Sequence, residues 1–483
     1  MKNSGAAELG EYGRRFSLYQ NLRPADWVEP DSDFNHNVLI AGGGHNGSAL
    51  SFALSRRGIG GVGVIDAASE GKTGIWLTTA RMHTLRTPKN LVGPDLGFLP
   101  LSFPAWFEAL HGARAFEAVN RIQRTDWGDY LLWFNKEAGI KIRHGTRLIR
   151  IEPRGRGFRV ILEADGNRFS ETARKVVMAN GIAGTGAPHV PSFLTDNLPD
   201  NLYVHTSRKL EDAEFKGKVV AVVGAAASAF DAAAVALEAG ASHVHLICRR
   251  KELTATVMNR HRAYPGAVDR FYRMPDDFRW RLINMTLKGG LAPPEDSVLR
   301  ATRHSNFHLH LLADFSTVTY AGGRVRWRVA SEHMDFDFVI AATGYLPDPR
   351  LSPELAGISQ DIALWGDRYV PPGHEQNSLL ATYPYVGPRF EFTEKNPGDA
   401  PWLANLHCYT NSASMSFGRS VGDVPTMNWG INHLADALAD DLFFQDIEKH
   451  EARMSKVPTQ KEYSEEIYRK AIYSRDENER KIA

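Results

Sequence analysis

Apolar and polar positions along this 483-residue chain switch between two periods, and the switches predict the elements. Residues 38–41 form an apolar run of buried-strand length, 48–57 read as a helix, and 62–65 form a second strand. From residue 103 to 139, Trp106, Leu110, Phe116, Val119, Ile122, Leu131, Leu132 and Phe134 recur at helical spacing and are expected in the core. Residues 146–163 alternate as hairpin strands, with turns near Arg154-Gly155-Arg156-Gly157 and Asp165-Gly166. A buried strand at 175–178 runs into Ala179-Asn180-Gly181, and Pro188 and Pro191 mark a linker. The series of strand, turn, helix and strand then recurs as residues 219–223, an alanine-rich helix at 230–239, and 243–248. Further strands are expected at 307–312, 324–329 and 336–340, and a helix at 427–444 before a charged helical tail.

The recurrence predicts an α/β fold with two Rossmann-like dinucleotide-binding domains, the second inserted in a discontinuous first. The expected boundaries are an arm at 1–32, a first domain at 33–187 and 336–450, the inserted domain at 188–335, and the tail at 451–483.

The turns between strand and helix carry the chemistry. Gly42, Gly44 and Gly47 have the G-x-G-x-x-G spacing, with Gly43, His45 and Asn46 between them. The first glycine permits the tight turn, the second lets backbone touch a pyrophosphate, and the third lets helix pack on strand. Free N–H groups at the helix start then face the phosphates, with His45 and Asn46 lining them. Asp66, about 20 residues on, is placed to hold a ribose hydroxyl. This first unit is assigned to FAD, because it lies near the N-terminus and a second unit follows. Trp76, just beyond Gly74, is placed near the flavin ring.

In the second turn Gly224 keeps the first position, Ala226 replaces the second glycine, Ser228 follows, and Ala229 is an accepted variant at the third. Arg249 and Arg250 stand where the first unit has its acid. Paired guanidinium groups there fit a 2′-phosphate, so the expected ligand is NADPH. Gly344, in Ala342-Thr343-Gly344-Tyr345, joins the expected cofactor-binding set. Asp423, at the glycine-rich approach to the last long helix, is expected to face the ribitol, with the helix dipole stabilising a reduced flavin.

Composition narrows the class. Hydrophobic content of 43% and charge of 23% describe an ordinary globular protein, and a net charge of +1 argues against nucleic acid or membrane as an obligatory partner. No apolar run reaches the roughly 20 residues a spanning helix needs, and the N-terminus has no signal-peptide pattern. Only Cys248 and Cys408 occur, far apart, which suits a cytoplasmic location and removes a C-x-x-C disulfide reductase. The histidines are scattered and no metal-binding set is expected; His308 and His310 alternate on a strand, where packing is the simpler role.

The assembled pattern resembles the class B flavoprotein monooxygenases: flavin-containing monooxygenases, Baeyer–Villiger monooxygenases and lysine/ornithine N-hydroxylases. The residues that carry the resemblance are the turn Gly42 to Gly47, Gly74-Ile75-Trp76, the turn Gly224 to Ala229 with Arg249 and Arg250, and Ala342-Thr343-Gly344-Tyr345. The first two groups carry an F-x-G-x-x-x-H-x-x-x-[FYW] linker fingerprint. Here only His205 matches, with Pro199, Asn201 and Lys209 at the other positions. The resemblance therefore implies an FAD- and NADPH-dependent monooxygenase that forms a flavin C4a-hydroperoxide and leans toward amine N-hydroxylation. Baeyer–Villiger or sulfur oxygenation is the alternative within the family, and a non-catalytic FAD-binding scaffold the alternative outside it. Arg86 lies roughly where the N-hydroxylases place a basic substrate contact. Molecular oxygen and a small-molecule substrate are the implied partners, and homo-oligomerisation stays open.

Overall fold

The computed structural model describes residues 2–258, 260–329 and 332–473. It falls into two compact units, Met1–Ala439 and Asp440–Ala483. The second contains the helix Ile447–Met454 and a short turn of helix, Glu466–Arg469; residues 474–483 of the expected helical tail lie outside the described residues. No helix among the described residues is long and apolar enough to cross a membrane.

Two sheets organise the first unit. In the first, β1 (His36–Ala41) is flanked in parallel by β2 (Val62–Ile65) and by β6 (Asn167–Met178), and β3 (Ile142–Arg143) extends the β2 side. The β1 residues Val38, Leu39 and Ile40 are wholly buried, which is why that run is apolar on both faces. The expected hairpins are present: β4 (Thr146–Arg154) pairs antiparallel with β5 (Gly157–Ala164), and β5 pairs antiparallel with β6. β6 begins exposed against β5 and ends buried beside β1. The apolar stretch from 103 to 139 forms three helices, Phe103–His111, Ala113–Ala118 and Arg124–Glu137. After β6, a two-stranded antiparallel ribbon pairs β7 (Ala187–Pro188) with a strand far along the chain, β16 (Tyr345–Leu346).

The second sheet contains β8 (Tyr203–His205), β9 (Val219–Val223), β10 (His243–Ile247), β11 (Phe307–His310) and β15 (Phe338–Ala341), all parallel, in the order β11-β10-β9-β15-β8. The helices Ala227–Glu238 and Glu295–Thr302 cover one face, packing Phe230, Ala233 and Ala301 on Val220, Val222 and Val244. The other face is covered by a three-stranded antiparallel sheet, β12 (Thr319–Ala321), β13 (Arg324–Val329) and β14 (Glu332–Phe336), whose Trp327 and Phe336 pack on Ala221, Val223 and Ile247. The sequence places the return to the first domain near residue 336. β15 still pairs with β9 and β8, and the first sheet is re-entered at β17 (Leu406–Cys408), parallel to β6. The second dinucleotide fold is thus inserted within the first.

Candidate active site

The first glycine turn leads from β1 into the helix His45–Arg56. Gly42 has φ +114°, a region that side chains disfavour, and a Cβ there would lie 2.4 Å from the Ala179 carbonyl oxygen. At Gly47 a Cβ would sit 1.9 Å from the Gly42 carbonyl oxygen, so helix and turn touch. Gly44 differs: its Cβ would meet nothing nearer than Gly74 Cα at 3.7 Å, and the space beside it is open. Asp66 accepts from the Gly43 N–H at 2.8 Å and from the Ala68 N–H at 2.8 Å, fixing the turn against the end of β2.

A cleft of about 630 Å³ opens over this turn. Gly42, Gly44, His45, Asn46, Asp66, Trp76 and Asp423 line it, all expected from the sequence; Gly43 and Gly47 lie in the turn behind. His45 Nε2 and Asn46 Nδ2 both contact the Gly422 carbonyl oxygen, at 2.9 and 3.1 Å, tying the turn to the loop before the last long helix. Burial lowers the pKa of His45 and favours the neutral imidazole. The Trp76 ring lies 5.7 Å from that of His45. Asp423 accepts from the Thr426 hydroxyl at 2.7 Å and N–H at 3.1 Å; burial pushes its carboxyl above the usual range. The phenol of Tyr409 is pushed up by burial and then by the Asp423 charge.

Four buried polar atoms on residues lining this cleft have no protein partner: His45 Nδ1, Asn46 Oδ1, Asn180 Oδ1 and the Tyr409 hydroxyl. Buried polar groups are normally satisfied, so four orphans at one cleft indicate a polar ligand. Together with the open side of Gly44 and the uncapped helix start at Gly44, these donors and acceptors fit the pyrophosphate and ring edge of a flavin dinucleotide. Asn180 and Tyr409 were not among the expected residues. Asn180 lies just past the end of the buried strand β6, next to the glycine turn, a position that signals a ligand edge, whereas Tyr409 has no local signal.

The second turn repeats the first with alanines. Gly224 has φ +143°, and a Cβ there would lie 2.6 Å from the Ala342 carbonyl oxygen. Ala226 has φ −103° and ψ −172°, ordinary extended backbone for any residue, so the methyl group brings no strain. Ala229 is fully buried under the helix and Ser228 is exposed at its start. Arg249 and Arg250 are both exposed at the end of β10. The Arg249 guanidinium lies 5.6 Å from the Phe315 ring, and Arg250 Nη1 donates to the Gly289 carbonyl oxygen at 3.3 Å. Gly344, at φ +80°, accepts through its carbonyl from His205 Nε2 at 2.9 Å.

Arg86 lies apart from the first cleft, although its neighbour Thr87 lines it. Arg86 Nη2 contacts Asp231 Oδ2 at 2.6 Å, and Asp231 Oδ1 accepts from the Ser297 hydroxyl at 2.7 Å. The loop beyond Trp76 is therefore bolted to the helix of the second nucleotide unit. Arg81 makes a parallel link: it donates to the Thr206 carbonyl, while Arg300 Nη1 donates to the Arg81 carbonyl at 2.7 Å.

Known proteins share sequence and fold with this chain. A family model described as L-lysine 6-monooxygenase/L-ornithine 5-monooxygenase matches residues 113–297, and one described as FAD-NAD(P)-binding matches residues 39–183. The FAD-dependent urate hydroxylase of Xanthomonas campestris is 38% identical over 424 residues, covering 87% of this chain and 89% of that protein. The ornithine hydroxylase from Pseudomonas aeruginosa shares the fold with a TM-score of 0.65 at 18% identity, over 84% of this chain and 99% of that one. The L-lysine 6-monooxygenase from Pseudomonas syringae does so at 0.64 and 17%, over the same shares. The chain belongs to the class B flavoprotein monooxygenases. It is an enzyme of that family, with FAD and a nicotinamide dinucleotide as cofactors and dioxygen and a small molecule as reactants.

Proposed function

We propose that this chain hydroxylates urate or a closely related planar oxopurine. The observation that carries the reading is the 38% identity to a urate hydroxylase along nearly the whole of both chains. The chemistry of the cleft supports it. Its acids are engaged: Asp66 by two backbone N–H groups, Glu354 by the Ser352 hydroxyl at 2.8 Å, and Asp423 by Thr426. Each of these carboxylates already has a donor within the protein. Thr410, Asn411 and Ser420 also line the cleft, the first bonded to Thr185 and the last donating to Asn411 at 2.8 Å, and neutral hydroxyl and amide groups of this kind suit the carbonyl and N–H edges of an oxopurine.

FAD held in this cleft would supply the redox chemistry, accepting a hydride from a reduced nicotinamide and activating dioxygen so that one oxygen atom could enter the substrate and the other leave as water. The chain's own part is orientation and exclusion of water. The turn at Gly42 to Gly47 seats the dinucleotide, and His45 and Asn46 anchor the Gly422 loop across it. His45, kept neutral, adds no positive charge beside the phosphates.

A second reading, N-hydroxylation of an amine, is favoured by the lysine/ornithine family model over residues 113–297. One experiment separates the two: NADPH oxidation and oxygen uptake with urate, ornithine and lysine, with product analysis. Urate should stimulate matched consumption and yield a hydroxylated purine. A hydroxylamine from ornithine or lysine, with no product from urate, would overturn the first reading in favour of the second.

A further inference from the structure

Four histidines meet at the open edge of the second sheet, and none of them lines the cleft over the first glycine turn. β10 contributes His243 and His245, and β11 contributes His308 and His310. The two strands are parallel, with His245 opposite His308 and Ile247 opposite His310. The period of two then places all four imidazoles on one face. His243 Nδ1 lies 3.1 Å from His308 Nε2, and His245 Nδ1 lies 2.8 Å from His310 Nε2. The His245 ring stacks on those of His308 and His310 with centroids 4.5 and 5.1 Å apart.

We propose that His243, His245 and His308 bind a divalent transition-metal ion of the zinc class, with His310 as the neighbour that orients His245. Each of the three offers one ring nitrogen, and these atoms lie within 4.8 Å of one another. Two imidazole nitrogens on one tetrahedral zinc ion, at about 2.0–2.1 Å from the metal, stand about 3.3 Å apart. The His243–His308 separation of 3.1 Å already has that span. Borderline donors of this kind select zinc, nickel or copper over magnesium and calcium, whose ligands are oxygen.

The surroundings agree. His245 is 6% exposed and packs edge-on to Phe336 at 5.4 Å, while His243 is exposed, so the site is closed on the sheet side and open to solvent for a fourth ligand. A metal-binding histidine commonly gives its second ring nitrogen to an acceptor that fixes the tautomer, and the His245–His310 contact has that form. The ion would clamp β10 to β11, the outer pair of strands in the nucleotide sheet.

The test uses the full-length, FAD-loaded, tag-free protein, stripped with a chelator and titrated with Zn²⁺ against a chromophoric competitor, with Mg²⁺ as control. We expect saturable uptake of one Zn²⁺ per chain and none of Mg²⁺. The double variant His243→Gln/His308→Gln alters side chains at the solvent rim and should keep its flavin spectrum while losing that uptake. His310→Ala should weaken it by about 10–100-fold, as loss of an orienting partner does. No saturable Zn²⁺ uptake by the natural protein, or equal uptake by the double variant with its flavin retained, overturns the assignment.

Discussion

Gly44 and Gly47 sit in one turn, yet a methyl group means something different at each. At Gly47 it would lie 1.9 Å from the Gly42 carbonyl oxygen, and no relaxation short of moving the helix accommodates it. At Gly44 the nearest atom is 3.7 Å away and φ is −67°, so alanine fits the protein alone. Ala226, at the equivalent place in the second turn, shows the fold accepting such a methyl. What the methyl does fill is the space above the helix start, where a pyrophosphate would approach. Gly44→Ala should therefore leave the stability of the flavin-free protein within about 0.5 kcal/mol of the original. It should weaken FAD by about 10–100-fold, the effect of roughly 1–3 kcal/mol of overpacking. Flavin fluorescence titration and thermal melts of the FAD-free protein measure the two quantities; a loss of stability without a loss of affinity would place the cofactor elsewhere.

Bridges between elements hold this turn in its setting. Asp231 is 5% exposed on the second nucleotide helix and has Arg86 and Ser297 as partners. Removing the guanidinium leaves a buried carboxylate uncompensated, so Arg86→Ala should destabilise the fold by about 3 kcal/mol, read from urea unfolding. A second bridge runs across the first sheet, where Glu171 on β6 takes both Arg143 nitrogens at 2.6 and 2.8 Å and His36 Nε2 at 2.8 Å. The Arg143 hydrogen bonds, ahead of those from His36, hold the carboxyl at about 2 against an ordinary 4.5. The folded value lies below the unfolded one, so this stabilisation is complete above 4.5 and fades as pH falls toward 2. With solvent screening it amounts to about 1 kcal/mol. The stability gap between the natural protein and Glu171→Gln should narrow over that window; a gap that stayed constant would remove the ion pair as its cause. The two strand–turn–helix units are legible in the sequence because each is local, set by apolar runs and glycines close together. The Arg86–Asp231 bridge, the Tyr409 hydroxyl and the histidine quartet are not, because each depends on which distant strands and helices pack together. His245 faces His308 only once β10 and β11 pair in parallel, a register that neither segment encodes alone.

At the scale of the molecule, turnover requires one nucleotide in each Rossmann-like fold and a path for hydride between them. The joint is stiffened by Arg81 reaching Thr206, Arg300 holding the Arg81 carbonyl, and His205 holding Gly344. Choice of nucleotide is a separate property, and the geometry allows it to be changed without loosening that joint. Arg249 and Arg250 are exposed at the end of β10, and their contacts are a ring face and a carbonyl rather than a buried carboxylate. Both guanidinium groups are therefore free to meet a 2′-phosphate, and replacing them leaves no buried charge behind. Charge-assisted hydrogen bonds contribute about 1.5–3 kcal/mol each. Arg249→Ala with Arg250→Ala should accordingly raise the NADPH concentration for half-maximal anaerobic flavin bleaching by at least about 10–100-fold. NADH, which lacks the phosphate, should lose little, and the bleaching rate at saturation should stay near that of the natural protein because the joint is intact. Equal weakening of both nucleotides would mean that the arginines act on the pyrophosphate or the fold, and would overturn their assignment to a 2′-phosphate.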